Sequence, residues 1–301
     1  MTNLLEALEG AVAQGLVFAV LAIGVYLTYK ILNIADLTVD GSICTGAAVC
    51  TMLMLSGVNP WIAMLCAVGA GILAGTLTGL LHVFLHIPAI LAGILCQMIL
   101  WSVNLKILGK ANQALPARNF PVLLSQLHVP TAILFSAAVV AVLIGLLYLL
   151  FGTELGCSIR ATGCNPVMSR AQGINTGFTT IVGLAISNGV VALCGALLCQ
   201  YQGFADVNMG RGAVVIGLAA VVIGEAVLRR IAKNFAVKLA AVALGAVLYY
   251  VVYQTVIFLG LDPDLLKMFS AIVVTIFLGI PYVKERITVR NSIRKGGNSH
   301  A

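Results

Sequence analysis

Gly156-Cys-Ser-Ile-Arg-Ala-Thr-Gly-Cys-Asn-Pro-Val-Met-Ser-Arg-Ala-Gln-Gly-Ile-Asn175 is a polar island in an apolar chain. Within it, Asn165-Pro166 is a helix start: Asn offers a side-chain acceptor to orphan backbone N–H groups, and Pro suits the first turn. The spacing predicts a short helix from Pro166 to about Gln172, stopped by Gly173. Such a helix lying across a membrane face would suit docking of a partner. The plainer alternative is an ordinary connecting loop.

Apolar segments flank the island at 130–151 and 178–203, and the pattern repeats along the chain. Nine segments are expected, at 11–29, 41–58, 61–85, 88–108, 130–151, 178–203, 212–228, 236–260 and 265–283. Hydrophobic residues make up 61% of the 301 positions and charged residues only 9%, against about 25% charged in soluble domains. The mean hydropathy of +1.08 agrees. With about 20 residues per span, the expected fold is an all-α polytopic transmembrane helical bundle of about eight to nine spans. The second and seventh segments are short and Gly-rich, so broken or re-entrant helices are expected there. Residues 1–10 carry Glu6 and Glu9 and no basic residue, the opposite of a signal-peptide n-region. One domain is expected over 1–283, including a loop at 152–177, followed by a basic tail at 284–301.

The net charge of +7 does not imply nucleic acid, because the basic residues sit at span ends. If all nine segments cross, 12 of the 17 Lys and Arg residues fall on the side of the 152–177 loop and the C-terminus. The positive-inside rule then makes that side cytoplasmic and the N-terminus external. Six of the eight Cys residues (Cys44, Cys50, Cys66, Cys96, Cys194, Cys199) lie in apolar stretches as small hydrophobes. Cys157 and Cys164 lack CxxC spacing, so neither disulfides nor a metal are expected. His82 and His86 have i,i+4 spacing but no HExxH context. No GxxxxGK[ST] pattern occurs, so this chain has no P-loop for ATP.

The island pattern, carried by Gly156, Ile159, Arg160, Ala161, Gly163, Asn165, Pro166, Gly173 and Ile174, resembles the cytoplasmic coupling loop of ABC permeases of the branched-chain amino acid and ribose group. Many relatives have Ala pairs where this chain has Met168-Ser169-Arg170. A second stretch, Ile31-Leu-Asn-Ile-Ala-Asp-Leu-Thr-Val-Asp-Gly-Ser42 followed by Gly46-Ala-Ala48, is similar to the tryptophan/tyrosine import permeases of that group. A third match is Gln202-Gly-Phe-Ala-Asp-Val-Asn-Met-Gly210, leading to Val215-Ile-Gly-Leu-Ala219 and Ile223-Gly-Glu225.

The resemblance implies a permease subunit of an ATP-driven bacterial importer in the inner membrane, with the C-terminus cytoplasmic. It implies no enzyme activity and no cofactor in this chain, with ATP and Mg bound by a separate ABC ATPase subunit. An extracytoplasmic binding protein would deliver a small solute, an amino acid and an aromatic one by the second stretch. A second permease copy would complete a homodimer surrounded by lipid. ATPase coupling would involve Gly156, Arg160, Gly163, Asn165, Pro166 and Gly173. The rival readings are a permease for a branched-chain amino acid, sugar or nucleoside, and an ion-coupled secondary transporter, which the scarcity of mid-span charges disfavours.

The residues themselves offer further candidates. Intramembrane carboxylates Asp36 and Asp40 could bind a substrate ammonium or hold a broken helix in place. Alternatively, Asp40 or Ser42 caps the second helix at Gly41. Ser42 is also a substrate-path candidate, and Gln97, Asn104, Asn188 and Gln200 either line that path or join helices by hydrogen bonds. Trp101 is an interface anchor or a stacking surface. Asp206 and Asn208, in a Gly-rich outward turn, are candidates for docking the binding protein or for the rim of the substrate path, or are simply solvated. Glu225 and Arg229 have the i,i+4 spacing of a structural ion pair. Gly71, Gly75 and Gly79 form a small-residue stripe for close packing, within the chain or across a dimer.

Overall fold

A backbone in lipid must satisfy its own hydrogen bonds, and the chain answers with helices. The computed structural model describes residues 2–116, 122–126, 128–228 and 234–258, with Met268, Ile272 and Thr275. The helices are α1 (Thr2–Tyr26), α2 (Val39–Leu55), α3 (Pro60–Phe84), α4 (Ala89–Leu108), α5 (Val129–Phe151), α6 (Glu154–Cys164), α7 (Pro166–Ala171), α8 (Thr176–Gln202), α9 (Ala213–Leu228) and α10 (Phe235–Phe258). A π-helical turn, Leu27–Ile31, extends α1. Two short strands, β1 (Asn112–Ala114) and β2 (Phe204–Asp206), pair antiparallel.

Among the described residues, six helices are long and apolar enough to cross a membrane. Limits of the second to eighth segments fall within three residues of those expected from sequence. The ninth segment, apart from three helical positions, and the tail 284–301 lie outside the described residues.

The bundle has two ends. The β1–β2 ladder joins the ends of α4 and α8 at one of them. At the other, α6 lies against the end of α1, where Gly163 leaves no room for a Cβ beside the Ile31 carbonyl. These are called below the ladder face and the α6 face.

Helix α8 is the central post, buried along most of its length and packed against α1, α2 and α3. Small residues set the spacing. A Cβ at Gly71, Gly75 or Gly79 of α3 would fall on Asn188, Leu184 or Ile181 of α8. The stripe therefore packs within the chain. Gly46 of α2 and Gly195 of α8 meet Ala192 and Ile43 in the same way.

Helices α2 and α9 have 17 and 16 residues and begin inside the layer. Ser42, one turn into α2, bonds to Asn188 at the middle of α8, and Gly41 packs on Gln97 and Leu100 at the middle of α4. Helix α2 runs from there to the ladder face, where Met54 and Gly57 meet Val122 around one cavity. Helix α9 runs the other way, ending near Lys30 at the α6 face. The expected interruption of these two segments is thus a pair of helices whose N-termini meet inside the bundle.

Gly75→Leu should destabilise the protein by more than about 2 kcal/mol, because the side chain has no space beside Leu184. Gly69→Ala, whose added methyl meets open space, should stay within about 0.5 kcal/mol. Thermal unfolding of both variants in detergent checks this.

Candidate functional site

The interior meeting point is held by one carboxylate. Asp40 lies in the first turn of α2, yet its oxygens accept from the N–H groups of Gly212 and Val214, both at 3.0 Å. These are two orphan donors at the start of α9. The alternative cap on α2 is therefore corrected, since Thr38 occupies that N-cap without a side-chain bond; Asp40 caps α9, in keeping with the reading that it holds a broken helix in place. Gly210 makes the approach possible, since a Cβ there would fall on the Asp40 carbonyl.

Below Asp40 lies a closed polar network. Ser42 donates to Asn188 Oδ1 at 2.6 Å. Asn188 Nδ2 donates to Asp36 Oδ2 at 2.7 Å, and the Thr38 N–H donates to Asp36 Oδ1 at 2.8 Å. All four residues are buried. The Thr38 and Thr78 hydroxyls bond at 2.7 Å, adding α3. Asp36, Ser42 and Asn188 are thus engaged with one another, joining the α1–α2 linker to α8. Gln200, near the ladder face, accepts from the Leu123 N–H at 3.1 Å and holds the 122–126 segment.

Gln97 and Asn104, by contrast, line an open cavity of about 430 Å³ between α2, α4 and the segment after β2. Asp40, Trp101 and Arg211 line it too. Asn208 sits above, accepting from Trp101 Nε1 at 3.4 Å. Asp206 ends β2 and accepts from the Asn208 N–H at 2.6 Å and from Asn112 at 3.3 Å. The sequence had no signal singling out Arg211, since only the fold brings it beside Asp40.

The α6 face carries the second group of candidates. The island folds as α6, capped by Thr153, then α7, capped by Asn165 through the N–H groups of Val167 and Met168. The predicted helix after Asn165-Pro166 is present and ends before Gly173, whose φ is +84°. Helix α6 was not foreseen. Gly156 packs on Phe151 and Gly163 on Ile31, while the Thr162 and Thr179 hydroxyls bond at 2.8 Å. The Arg160 guanidinium lies 5.3 Å from the Phe151 ring centroid and 4.3 Å from that of Phe235. It ties α6 to α5 and α10 by cation–π contact. These island residues face inward, whereas Val167 and Met168 project outward, 76% and 59% exposed.

Glu225 pairs with Lys30 at 2.8 Å, linking α9 to the end of α1. That pair is long-range, unlike the i,i+4 pair expected with Arg229, which lies outside the described residues.

A family model described as "Branched-chain amino acid transport system / permease component" matches residues 7–278. The tyrosine transport system permease protein of Clostridioides difficile (strain R20291) is 36% identical over 274 residues, covering 91% of each chain. Uncharacterized protein RP368 of Rickettsia prowazekii (strain Madrid E) is 35% identical over 292 residues, covering 95% of this chain and 99% of its own. Among solved structures, PsaBC from Streptococcus pneumoniae in complex with Fab shares the fold, with a TM-score of 0.50 at 15% identity over 91% of this chain and 88% of that one.

Asn188→Leu should strip partners from both Ser42 and Asp36, at about 1–3 kcal/mol for each orphaned group. Thermal unfolding in detergent should show a loss larger than that of Ser42→Ala, which removes one bond only.

Proposed function

The chain belongs to the branched-chain amino acid transport system permease family, and from that premise we propose that it is driven by an ATPase docked on α7 and carries an amino acid, an aromatic one, along the Asp40 cavity. It is a multi-pass membrane permease and a transport subunit rather than an enzyme. The α6 face is cytoplasmic in this proposal, the ladder face is external, and the membrane is the inner membrane of a bacterium. The C-terminus is cytoplasmic. ATP and Mg bind to the separate ATPase subunit, and a binding protein delivers substrate near Asp206 and Asn208. A second copy of the chain completes the permease within the lipid. The aromatic substrate is supported by the similarity to the tyrosine permease named above.

The observation that carries the coupling is the outward pair Val167 and Met168 on a capped helix. An apolar anchor on a six-residue helix fits a pocket on a partner protein. The inward side of the element reaches several helix ends. Arg160 reaches α5 and α10, Gly163 the end of α1, and Thr162 the start of α8. A push on α7 would therefore move these ends together. Lys30 and Glu225 extend the link to α9, whose other end is held by Asp40.

The double variant Val167→Glu, Met168→Glu places charge where the docking pocket would be apolar, without touching the buried side of α6. It should reach the membrane in normal amount, retain less than about a tenth of the ATPase on purification, and show background uptake. Retention of the ATPase with normal uptake would remove α7 from the interface.

A further inference from the structure

We propose that the cavity between α2, α4 and the segment after β2 is a binding site for a free α-amino acid. The ammonium sits between Asp40 and Asn104, the carboxylate on Arg211, and the side chain against Trp101 and Met98. This rests on the importer proposal and assigns the poles of its substrate.

Three groups in this cavity lack what such a ligand supplies. Asn104 is fully buried, and its Nδ2 donates to the Gly41 carbonyl at 3.5 Å, but its Oδ1 has no hydrogen-bond partner. A buried orphan acceptor costs about 1–3 kcal/mol, and a ligand donor removes that cost. Arg211 is charged at any physiological pH, and among the described residues it has no ion-pair partner. Its planar fork matches a carboxylate. Asp40 accepts two backbone N–H bonds, while an ionised carboxylate offers about four acceptor positions. Acceptor capacity therefore remains for an ammonium.

The charge pattern separates ligand classes. Asp40 and Arg211 line one cavity without forming an ion pair with each other. A simple anion would leave Asp40 unanswered, a simple cation would leave Arg211 unanswered, and a sugar would answer neither charge. A molecule carrying both charges on one carbon answers both. The volume of about 430 Å³ lies in the range of single small-molecule sites. The wall of Trp101 and Met98 is apolar and exposed, suited to a ring that stacks or packs on its face.

The test uses the purified full-length permease and radiolabelled tyrosine at equilibrium, displaced by tyramine, which lacks the carboxylate, or by 3-(4-hydroxyphenyl)propionate, which lacks the ammonium. Each analogue should bind at least about tenfold more weakly than tyrosine. Arg211→Gln, a change at an exposed position, should weaken tyrosine about tenfold and leave tyramine unchanged. Asn104→Leu should weaken tyrosine and tyramine but spare the propionate. Displacement by both analogues as strong as by tyrosine, loss of all three ligands in parallel, or no saturable binding of any common amino acid would overturn the site. Uptake by the intact complex is measured beside it. Tyrosine import without the expected binding pattern would sink this site alone. A complex that imports another solute and no amino acid would sink the substrate proposal with it.

Discussion

The structure turns on a single carboxylate placed where helices begin inside the bilayer. Backbone N–H groups at that depth have no water to bond, and a helix starting there leaves several without intrahelical partners. Helix α9 starts there, and Asp40 answers two of its donors from 172 and 174 positions away in sequence. The bond fixes how α2 and α9 meet, and so fixes the segment between β2 and α9 that forms one wall of the cavity. Without it, these two donors at the start of α9 would lose their acceptor.

Around that point the helices are held by small residues and matched polar groups. Glycines on α2, α3 and α8 let backbones approach until carbonyl oxygens of one helix lie where another's Cβ would be. Apolar surface gains little by leaving lipid for protein, so such close packing and interhelical hydrogen bonds carry the association. The Asp36–Asn188–Ser42 chain does the second job, with every bond at 2.8 Å or less once Thr38 is included. The same α8 that bears Asn188 starts beside α6. The site at mid-depth and the element at the α6 face therefore share one rigid post.

Local chemistry was legible in the sequence and long-range pairing was not. The spans followed from apolar runs, and the helix start at Asn165-Pro166 from the capping rule. The short Gly-rich segments announced α2 and α9 as interrupted. Helix α6 escaped because Gly156, Ser158, Thr162 and Gly163 are weak helix formers, and it is packing on Phe151, Ile31 and Thr179 that makes it helical. A cap on its own helix suits Asp40 in the sequence, which shows only neighbours, while its partners sit beyond six intervening helices. Glu225 was given Arg229 for the same reason, although its partner in the structure is Lys30. Of the polar candidates, Asn188 and Gln200 hold the fold together, and Gln97 and Asn104 face the cavity, a division that residue type alone could not draw.

In the proposed cycle, an ATPase bound at α7 moves this permease. The most direct measurement is purification of the tagged full-length protein from its native host in mild detergent, followed by quantitative mass spectrometry of what co-elutes. A P-loop ATPase in near-equal amount is the predicted result. Repeated recovery without any ATPase, under conditions that keep comparable transporters whole, would contradict the account and favour ion-driven transport instead.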